Sequence, residues 1–382
     1  MKGIRIVGNY RAALDRGDGY GQTCLEFVKS LLANNFINFT MKQAFDGFSS
    51  TNDAVVNTYE NKQIDYDINL IILTADNIRI FREENKINII YCMWECDILP
   101  QSWPALCNKC DMVVVPSFFC KDVFKKSGVT VPIHILPIPT DVHKFDVVHV
   151  NTELEEIVKD KLVFYSIFQW GERKNPKALL NSYYSSFGSK DDVILILKTH
   201  LTGNNKEHID IEQRVIGVRN NIKRNNNDYP KVMLVSNNLT EDQIAQIHIV
   251  GDVYLSTTRG EGWNLPAFDA ALAGNHIIAT NFSSHTDFID TYDFFKYQIY
   301  NRVSYQLENC HGAGQLYTSN QKWASVNVQE FSTRMKMVYE DWQKNGKITL
   351  QNRRDDYVKY LKTQYSYQQI GQKLLAILKE IK

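Results

Sequence analysis

Residues 252–274, DVYLSTTRGEGWNLPAFDAALAG, combine three signals that together predict a strand, a short loop and a helix. The apolar run at 252–256 has the length of a buried strand, and Gly260 and Gly262 then place a turn after it. From Asn264 onward, small residues would allow a helix to pack closely on the sheet. A strand that leads through a glycine turn into a helix is the repeating unit of parallel α/β sheets.

The same rhythm of a short apolar run and a helix-length segment continues through most of the chain. Runs that are apolar on both faces fit the strands of a parallel sheet that helices cover. In the first half these runs lie at 3–8, 36–42, 68–74, 87–93, 111–116 and 133–139, with helix-length stretches such as 21–33 and 117–127. In the second half they lie at 162–168, 193–199, 231–236, 252–256 and 275–280, with helices predicted at about 175–187, 208–224, 240–249 and 264–273. Two such series predict two doubly wound α/β domains.

The domain boundary and the tail have signals of their own. A chain of 382 residues is long enough for two domains. The stretch 141–160 is charged and breaks the rhythm, so we expect the boundary within it. Thr240 and Gln243 form the Thr-x-x-Gln pattern of a capping box, which predicts a helix start. After residue 320 the pattern becomes helical, at 326–343, 350–362 and 366–381.

The balance of charges bears on whether the protein binds nucleic acid or a membrane surface. The 43 Lys and Arg residues equal the 43 Asp and Glu residues, so no net basic field exists to collect nucleic acid. Lys121, Lys125 and Lys126 on one predicted helix form a local basic patch that could meet a membrane surface. No stretch reaches the ~20 apolar residues of a membrane span, and the N-terminal MKGIRIVG predicts a strand and not a signal peptide. We therefore expect a cytoplasmic protein, and the sequence does not indicate its oligomeric state.

The cysteines and one acidic triplet raise the question of a metal. The seven cysteines have no disulfide-like framework, which favours a reducing compartment. A zinc site is suggested by the spacing of Cys92, Cys96, Cys107 and Cys110. Cys92 lies in an apolar run, however, and free cysteine is a common buried hydrophobe, so we expect no metal. The triplet Asp65–Tyr66–Asp67 precedes a predicted strand, and we interpret it as a solvated turn at the end of the sheet opposite to a ligand site.

Ligands of parallel sheets bind beyond the carboxyl ends of the strands, so the residues after each run are the candidates for chemistry. Gln169–Pro176 follows the run at 162–168 and contains Arg173 and Lys174. Lys198 lies at the end of the next run. Two adjacent strand ends thus present cations, a forked guanidinium and compact ammonium groups, which together suit a diphosphate.

Two strand ends of the first half carry further candidates. Gly8, Gly17, Gly19 and Gly21 in the loop GNYRAALDRGDGYG would let the backbone approach a phosphate, and the alternative is a flexible surface loop. Their spacing is not the G-x-G-x-x-G of dinucleotide-binding folds. Glu95, after the fourth run, could bind sugar hydroxyls, act in proton transfer or cap the next helix.

Residues 259–274 resemble the hallmark of family-4 retaining glycosyltransferases of the GT-B fold, a motif close to E-G-x-G-L-P-x-x-E-A-x-A-x-G. Other stretches resemble the same family in the same order, namely GYGQTCLEFVKSLL, CDMVVVPSFFCKDVFKKSG, PIPTDVHKF, FQWGERKNPKALLNSY and HTDFID, so that the resemblance covers roughly residues 17–290. Three departures occur. Asp269 stands in place of the second Glu, Trp263–Asn264 stands where a small residue such as glycine is common, and Pro139–Asp141 replaces Gly-x-Asp.

The resemblance implies two Rossmann-like domains that face each other across a cleft, with a helical C-terminal tail. Residues 1–145 with the last helix, 366–382, would form the acceptor-side domain, and 146–365 would bind the nucleotide-sugar donor. Catalytic roles are implied for Glu261, Glu95, Arg173 and Lys198. Donor contacts are implied for Gly19, Tyr20, Gly21, Lys174, Asn237, Asn238, Gly260, Gly262, Trp263, Asn264, Leu265 and Asp269. Among these, Glu261 would contact the donor sugar, the cations would hold its diphosphate, and Asp269 would bind the ribose.

The function so implied is transfer of a sugar, with retention of configuration and without metal or cofactor, from a UDP- or GDP-linked donor. The acceptor would be a glycan, a lipid-linked molecule or a protein, in polysaccharide or glycoconjugate biosynthesis. A nucleotide-sugar epimerase of the same fold is the first alternative, and a non-catalytic nucleotide-sugar-binding module is the second. The set of Glu261, Arg173 and Lys198 speaks against a pure binder, which need not keep a whole leaving-group clamp. A nicotinamide oxidoreductase is the third alternative.

Overall fold

The computed structural model describes residues 3–49, 52–201, 207–222, 228–290, 300–351 and 355–380. The chain divides into two compact units, Met1–Val142 together with Leu361–Lys382, and His143–Tyr360. Each unit is built on one six-stranded parallel sheet. The predicted fold class, two doubly wound α/β sheets with helices at the C-terminal end, is confirmed.

In the first unit every neighbouring pair of strands in the sheet is parallel. Its strands are β1 Ile4–Gly8, β2 Phe39–Gln43, β3 Ile68–Ile72, β4 Ile87–Tyr91, β5 Met112–Val115 and β6 Ile133–Ile135. They lie in the order β2-β1-β3-β4-β5-β6. All five residues of β3 are buried, as expected of a central strand with helices on both faces.

The helices of this unit include one that the sequence did not predict. They are α1 Tyr10–Arg16, α2 Gly19–Ala33, α3 Ala54–Tyr59, α4 Ile78–Phe81, α5 Trp103–Cys107 and α6 Phe118–Lys126. The prediction of a loop directly after β1 was wrong, because the residues of α1 are helical. The Tyr10 hydroxyl donates to Glu60 at 2.8 Å, and the Arg11 guanidinium donates to both oxygens of the same carboxylate, at 3.1 and 2.5 Å. Since Glu60 lies 50 residues beyond Tyr10, local sequence could not show what stabilises this helix.

The second unit is also built on a parallel sheet. Its strands are β7 Leu162–Gln169, β8 Val193–His200, β9 Lys231–Val235, β10 Val253–Ser256, β11 His276–Thr280 and β12 Tyr300–Val303. They lie in the order β12-β11-β10-β7-β8-β9. The chain fills one side of β7 with β8 and β9 and then returns to the other side with β10. The direction of winding therefore reverses between β7 and β10, where doubly wound sheets bind their ligands.

The helices of the second unit are α7 Thr152–Val158, α8 Pro176–Ser186, α9 Glu207–Asn221, α10 Glu241–Val250, α11 Leu265–Leu272, α12 His285–Asp290 and α13 Val328–Gln351. Five of them begin within two residues of the predicted starts, whereas α7, in the stretch expected to be the domain boundary, and α12 were not predicted. At the start of α10 the Thr240 hydroxyl accepts from the Gln243 amide, and the Gln243 side chain accepts from the Thr240 amide. The predicted capping box is thus confirmed. The last two residues of the helix predicted at 208–224 lie outside the described residues.

An antiparallel hairpin follows the sheet of the second unit. Its strands are β13 Tyr305–Asn309 and β14 Lys322–Val326. The expectation that the chain is helical after residue 320 was wrong there, because α13 begins only at Val328. Four of the five residues of β13 are exposed, so this strand lacks the apolar run by which β1 to β11 were found, and β12 was not predicted either.

Two helices, α14 Asp355–Gln364 and α15 Tyr367–Glu380, end the described chain. The helix predicted at 350–362 includes residues 352–354, which lie outside the described part. The helix α15 packs on α2 of the first unit, where the Tyr367 hydroxyl donates to Glu26 at 2.6 Å. A methyl group on Gly371 would lie 2.4 Å from the Ser30 carbonyl oxygen, so glycine is what allows the two helices to approach this closely.

All seven cysteines, including the four with zinc-like spacing, are buried free thiols. No group of three or more His, Cys, Asp or Glu side chains in the described part is arranged to hold a metal ion. Within the same ranges, no helix has the length and apolar character needed to cross a membrane.

Candidate active site

The carboxyl ends of β7 and β10 bring together the two loops that the sequence singled out. A single 3₁₀ turn, Glu172–Lys174, follows β7, and the loop with Glu261 follows β10. The Arg259 amide donates to the Arg173 carbonyl oxygen at 2.7 Å, so the two loops are joined directly through their backbones. They meet at the point where the winding of the sheet reverses.

Glu261 lies between two cations of the turn. The Lys174 ammonium contacts both oxygens of the carboxylate, at 2.6 and 2.8 Å, and Arg173 Nη1 contacts one of them at 3.0 Å. Arg173 Nη1 also donates to the Gly260 carbonyl oxygen at 2.6 Å. The Glu261 side chain is only 6% exposed. We call Glu261, Arg173 and Lys174 the Glu261 cluster.

The charges of this cluster keep the carboxylate ionised. Burial alone would raise the pKa of Glu261, because a carboxylate loses hydration in the interior. The nearby Lys174 and Arg173, with hydrogen bonds from Lys174 and Thr258, outweigh this and lower the pKa to about 2. At neutral pH Glu261 is therefore a hydrogen-bond acceptor and a negative charge, and it has no proton to donate.

The backbone of Glu261 is held from the opposite side by the turn before α12. The Glu261 amide donates to the Ser283 hydroxyl at 2.8 Å, and the Ser284 amide donates to the Glu261 carbonyl oxygen at 3.3 Å. Ser283 has a φ of 76°, a left-handed conformation that costs a residue with a side chain about 1–3 kcal/mol. A strained residue at this position indicates that the loop geometry is closely defined.

Trp263 and Asn264, which depart from the glycosyltransferase motif, lie at the start of α11. Asn264, with a φ of 75°, is the N-cap, and its side chain accepts from the Ala267 amide and donates to the Ser256 hydroxyl. Leu265 is the first residue of the helix. The Trp263 ring packs against Phe268 and Phe288, with centroids 5.7 and 5.2 Å apart. The side chains of Trp263 and Asn264 thus have structural roles in shaping the loop, in addition to the donor contacts predicted for them.

Asp269, the predicted ribose ligand, forms an ion pair with Lys144. Lys144 belongs to the start of the same unit, and the Asp269 side chain is 21% exposed. No local pattern in the sequence predicts this pairing, because 125 residues separate the two partners. A ribose bound at Asp269 would have to share the carboxylate with this ammonium.

The remaining candidate residues of the second unit lie on or after other strands, at different distances from the Glu261 cluster. Lys198 lies on β8 directly beside Ile167 of β7, one strand away from the turn, and is 7% exposed. Asn237 and Asn238 are exposed and follow β9, the edge strand, which is two strands from β7. Gly262 lies in the loop after β10, next to Glu261 in the chain.

The candidates of the first unit lie around the start of α2. Gly19 is its first residue, and a methyl group there would meet no atom within 4 Å. A methyl group on Gly21 would lie 2.3 Å from the Asn9 carbonyl oxygen, so Gly21 is required by the close approach of α1 and α2. The Tyr20 hydroxyl donates to the Met93 carbonyl oxygen at 3.1 Å and accepts from the Met93 amide at 2.8 Å.

Glu95 lies close to this tyrosine. Burial, the Cys92 thiol and the Glu95 charge raise the pKa of Tyr20 well above its ordinary value, so the phenol stays protonated. Glu95 itself is half-buried. The Glu95 charge is therefore near enough to Tyr20, within the first unit, to act on its hydroxyl.

Solved structures with the same fold cover the full length of the chain. HepE of Anabaena, solved in complex with UDP and glucose, has a TM-score of 0.67 and 12% identity over 100% of both chains. Sucrose-phosphate synthase from Thermosynechococcus elongatus has a TM-score of 0.70 and 9% identity over 100% of this chain and 99% of that one. A glycosyltransferase from Rickettsia africae has a TM-score of 0.65 and 15% identity over 100% and 98%.

At these identities the similarity shows the fold, and the chain has the two Rossmann-like units of GT-B structures. No protein-family model matches the sequence, and no curated protein matches it either. The GT-B expectation is confirmed, and the assignment to family 4 stays a prediction.

Proposed function

We propose that the protein is a retaining, metal-independent glycosyltransferase of the family-4 type. It would move a sugar from a UDP- or GDP-linked donor to a glycan, lipid-linked or protein acceptor in polysaccharide or glycoconjugate biosynthesis. The observation that carries the proposal is the buried Glu261 cluster at the point where the sheet reverses its winding. The binding of UDP and glucose by HepE, which has the same fold, also supports it.

The two cations of the cluster suit the leaving group. Two positive charges against one carboxylate leave a net positive charge, which attracts the diphosphate of a nucleotide sugar. The diphosphate becomes more negative as the bond to the sugar breaks. Cations already fixed in place therefore stabilise the transition state more than the bound donor. Lys198, on the strand next to β7, is the third candidate cation.

The Glu261 carboxylate suits the donor sugar. Because its pKa is lowered to about 2, it accepts hydrogen bonds from sugar hydroxyls and does not act as a general acid. We expect the proton of the acceptor hydroxyl to pass to the leaving phosphate. The new bond would then form on the face that the diphosphate leaves, and the configuration would be retained.

The other predicted roles belong to the same proposal. Glu95 would act on the acceptor side, and Gly19 would let the backbone approach the phosphates. Asp269 would bind the ribose hydroxyls in competition with Lys144, so exchange of the Lys144 contact for a ribose contact would accompany donor binding.

Calorimetric titration with UDP, GDP and their glucose conjugates tests the proposal. We expect one of the two nucleoside diphosphates to bind, and the matching nucleotide sugar to be consumed only when an acceptor is supplied, with EDTA present. Epimerisation of the donor sugar without acceptor would instead favour the epimerase. If no UDP- or GDP-linked compound binds while NAD does, the proposal is wrong.

A further inference from the structure

Arg259 lies two residues before Glu261, yet its charge is directed at other partners. Its Nε donates to the Glu172 carbonyl oxygen and its Nη2 to the Glu172 carboxylate, each at 3.1 Å. Its Nη1 forms a short ion pair with Glu308. The side chain is 9% exposed, so this is a nearly buried guanidinium that two carboxylates neutralise.

The hairpin β13–β14 supplies most of this environment. Glu308 of β13 and Trp323 of β14 are paired across the hairpin. The guanidinium carbon of Arg259 lies 5.5 Å from the centroid of the Trp323 ring, within the range of a cation–π contact. The Ala324 amide donates to the Arg259 carbonyl oxygen at 2.8 Å. One hairpin thus gives Arg259 a carboxylate, an aromatic face and a backbone donor.

The position of Glu172 makes this arrangement matter for the Glu261 cluster. Glu172 directly precedes Arg173 and Lys174 in the same turn, so its carboxylate is a competitor of Glu261 for those cations. Arg259 binds the Glu172 carboxylate and leaves both cations to Glu261. We infer that Arg259 is a positioning residue. By binding Glu172 it keeps that carboxylate away from Arg173 and Lys174, and through Glu308 it fixes the Glu261 loop to the hairpin.

A purely structural role for Arg259 is the alternative. Removing one partner of a buried ion pair leaves an uncompensated charge and is strongly destabilising, so a loss of stability would not distinguish the two roles. The test therefore needs a measurement at Glu261 itself. The inference about catalysis rests on the proposed function, whereas the state of the Glu261 carboxyl can be measured whether or not the protein transfers sugar.

The variants are Arg259→Met, which removes the charge, Arg259→Lys, which keeps it without the fork, and Glu308→Gln on the hairpin. Gln306→Ala is the matched control, because Gln306 is exposed on the same strand as Glu308. The protein is labelled with ¹³C at the glutamate carboxyl groups, and the resonance that Glu261→Gln lacks is assigned to Glu261. Titration from about pH 7 to pH 4 then reports its protonation around the ordinary glutamate range.

In the unsubstituted protein and in Gln306→Ala we expect the Glu261 resonance not to titrate in this window. In Arg259→Met we expect its midpoint to move into the window, because Glu172 then competes with Glu261 for Arg173 and Lys174, and in Arg259→Lys to move to a lower point of the window. In Glu308→Gln, where Arg259 still binds Glu172, we expect the resonance not to titrate. Where transfer is measurable, Glu308→Gln should lower kcat about tenfold or more and change KM less than about threefold, since positioning acts in the transition state. If Arg259→Met does not fold, Arg259→Lys decides, because it keeps the charge that neutralises the two carboxylates and lacks only the forked contacts to Glu172.

An untitrated Glu261 resonance in the folded variants of Arg259 would overturn the inference. A protein that binds no nucleotide sugar but shows the shifted titration would instead contradict only the proposed function. The two failures are therefore distinguishable.

Discussion

At the scale of the single residue, the Glu261 carboxylate is the group on which the proposed chemistry depends. Glu261→Gln keeps the shape of the side chain and removes its charge, so we expect unchanged circular dichroism. Turnover with the matched donor should fall by roughly two orders of magnitude, the scale of a lost transition-state contact. Steady-state rates of both proteins measure this, and turnover near that of the unsubstituted protein would contradict the assigned role.

A second residue, His248, makes the stability of the second unit sensitive to acid. Its Nδ1 lies 2.9 Å from the Tyr165 hydroxyl, which also accepts from the Asn275 side chain. Burial lowers the pKa of His248 to about 4, with Lys144 adding to the shift and Asp269 opposing it. Because the unfolded chain takes up this proton near pH 6.5, stability is full above that pH and decreases as the pH falls toward 4. The loss is on the order of 3 kcal/mol.

His248→Asn tests this, since asparagine can still accept from Tyr165 but does not titrate. Urea unfolding between pH 7 and pH 4, a range set by the ordinary histidine pKa, should show a steeper loss of stability in the unsubstituted protein than in the variant. His149→Asn is the control, because His149 is exposed. Parallel stability curves for the unsubstituted protein and His248→Asn would show that burial of His248 has no such effect.

At the scale of the element, the turn Glu172–Lys174 is predicted to hold the leaving diphosphate. Arg173→Ala should weaken binding of the nucleoside diphosphate far more than binding of the nucleoside. A hydrogen bond to a charged group contributes roughly 1.5–3 kcal/mol, so the loss should be about tenfold to a hundredfold. Lys177→Ala is the matched control, because Lys177 is exposed three residues after Lys174. Calorimetry measures the affinity of each variant for both ligands. An equal loss of affinity for the diphosphate and the nucleoside would show that other residues bind the diphosphate.

The start of α2 offers a second prediction. Gly19 and Gly21 were both predicted to let the backbone approach the phosphates, but they have different environments. Gly21→Ala would place a methyl group 2.3 Å from the Asn9 carbonyl oxygen, and we expect it to cost about 1–3 kcal/mol of stability. Gly19→Ala meets nothing within 4 Å and should leave stability nearly unchanged. Denaturant unfolding measures both, and a change in nucleotide binding by Gly19→Ala alone would support its approach to the phosphates. Equal stability of Gly21→Ala and the unsubstituted protein would show that α1 can move away.

At the scale of the whole molecule, the sequence predicted the sheets and not the long-range contacts that complete the site. The central strands are apolar on both faces, and β3 and β10 are buried throughout, so their runs were recognisable. The exposed β13 had no such signal. Glu261 and the two cations were predicted because each follows a strand. The partners Lys144 of Asp269 and Glu308 of Arg259 were not, because they lie 125 and 49 residues away and no local pattern links them.

The first unit is discontinuous in the chain, and this has a consequence for how the molecule unfolds. Its last helix, α15, returns from the end of the sequence and buries its apolar face on α2. Gly371→Ala would place a methyl group 2.4 Å from the Ser30 carbonyl oxygen and separate the two helices. We expect hydrogen exchange to accelerate in α2 and β1 while β7 and β10 keep their protection, because opening free energies differ between cooperative units. Gly217→Ala on α9 meets nothing within 4 Å and serves as the control. Faster exchange in β7 and β10 as well would show that the two units unfold together, and unchanged exchange in α2 would show that α15 does not stabilise the first unit.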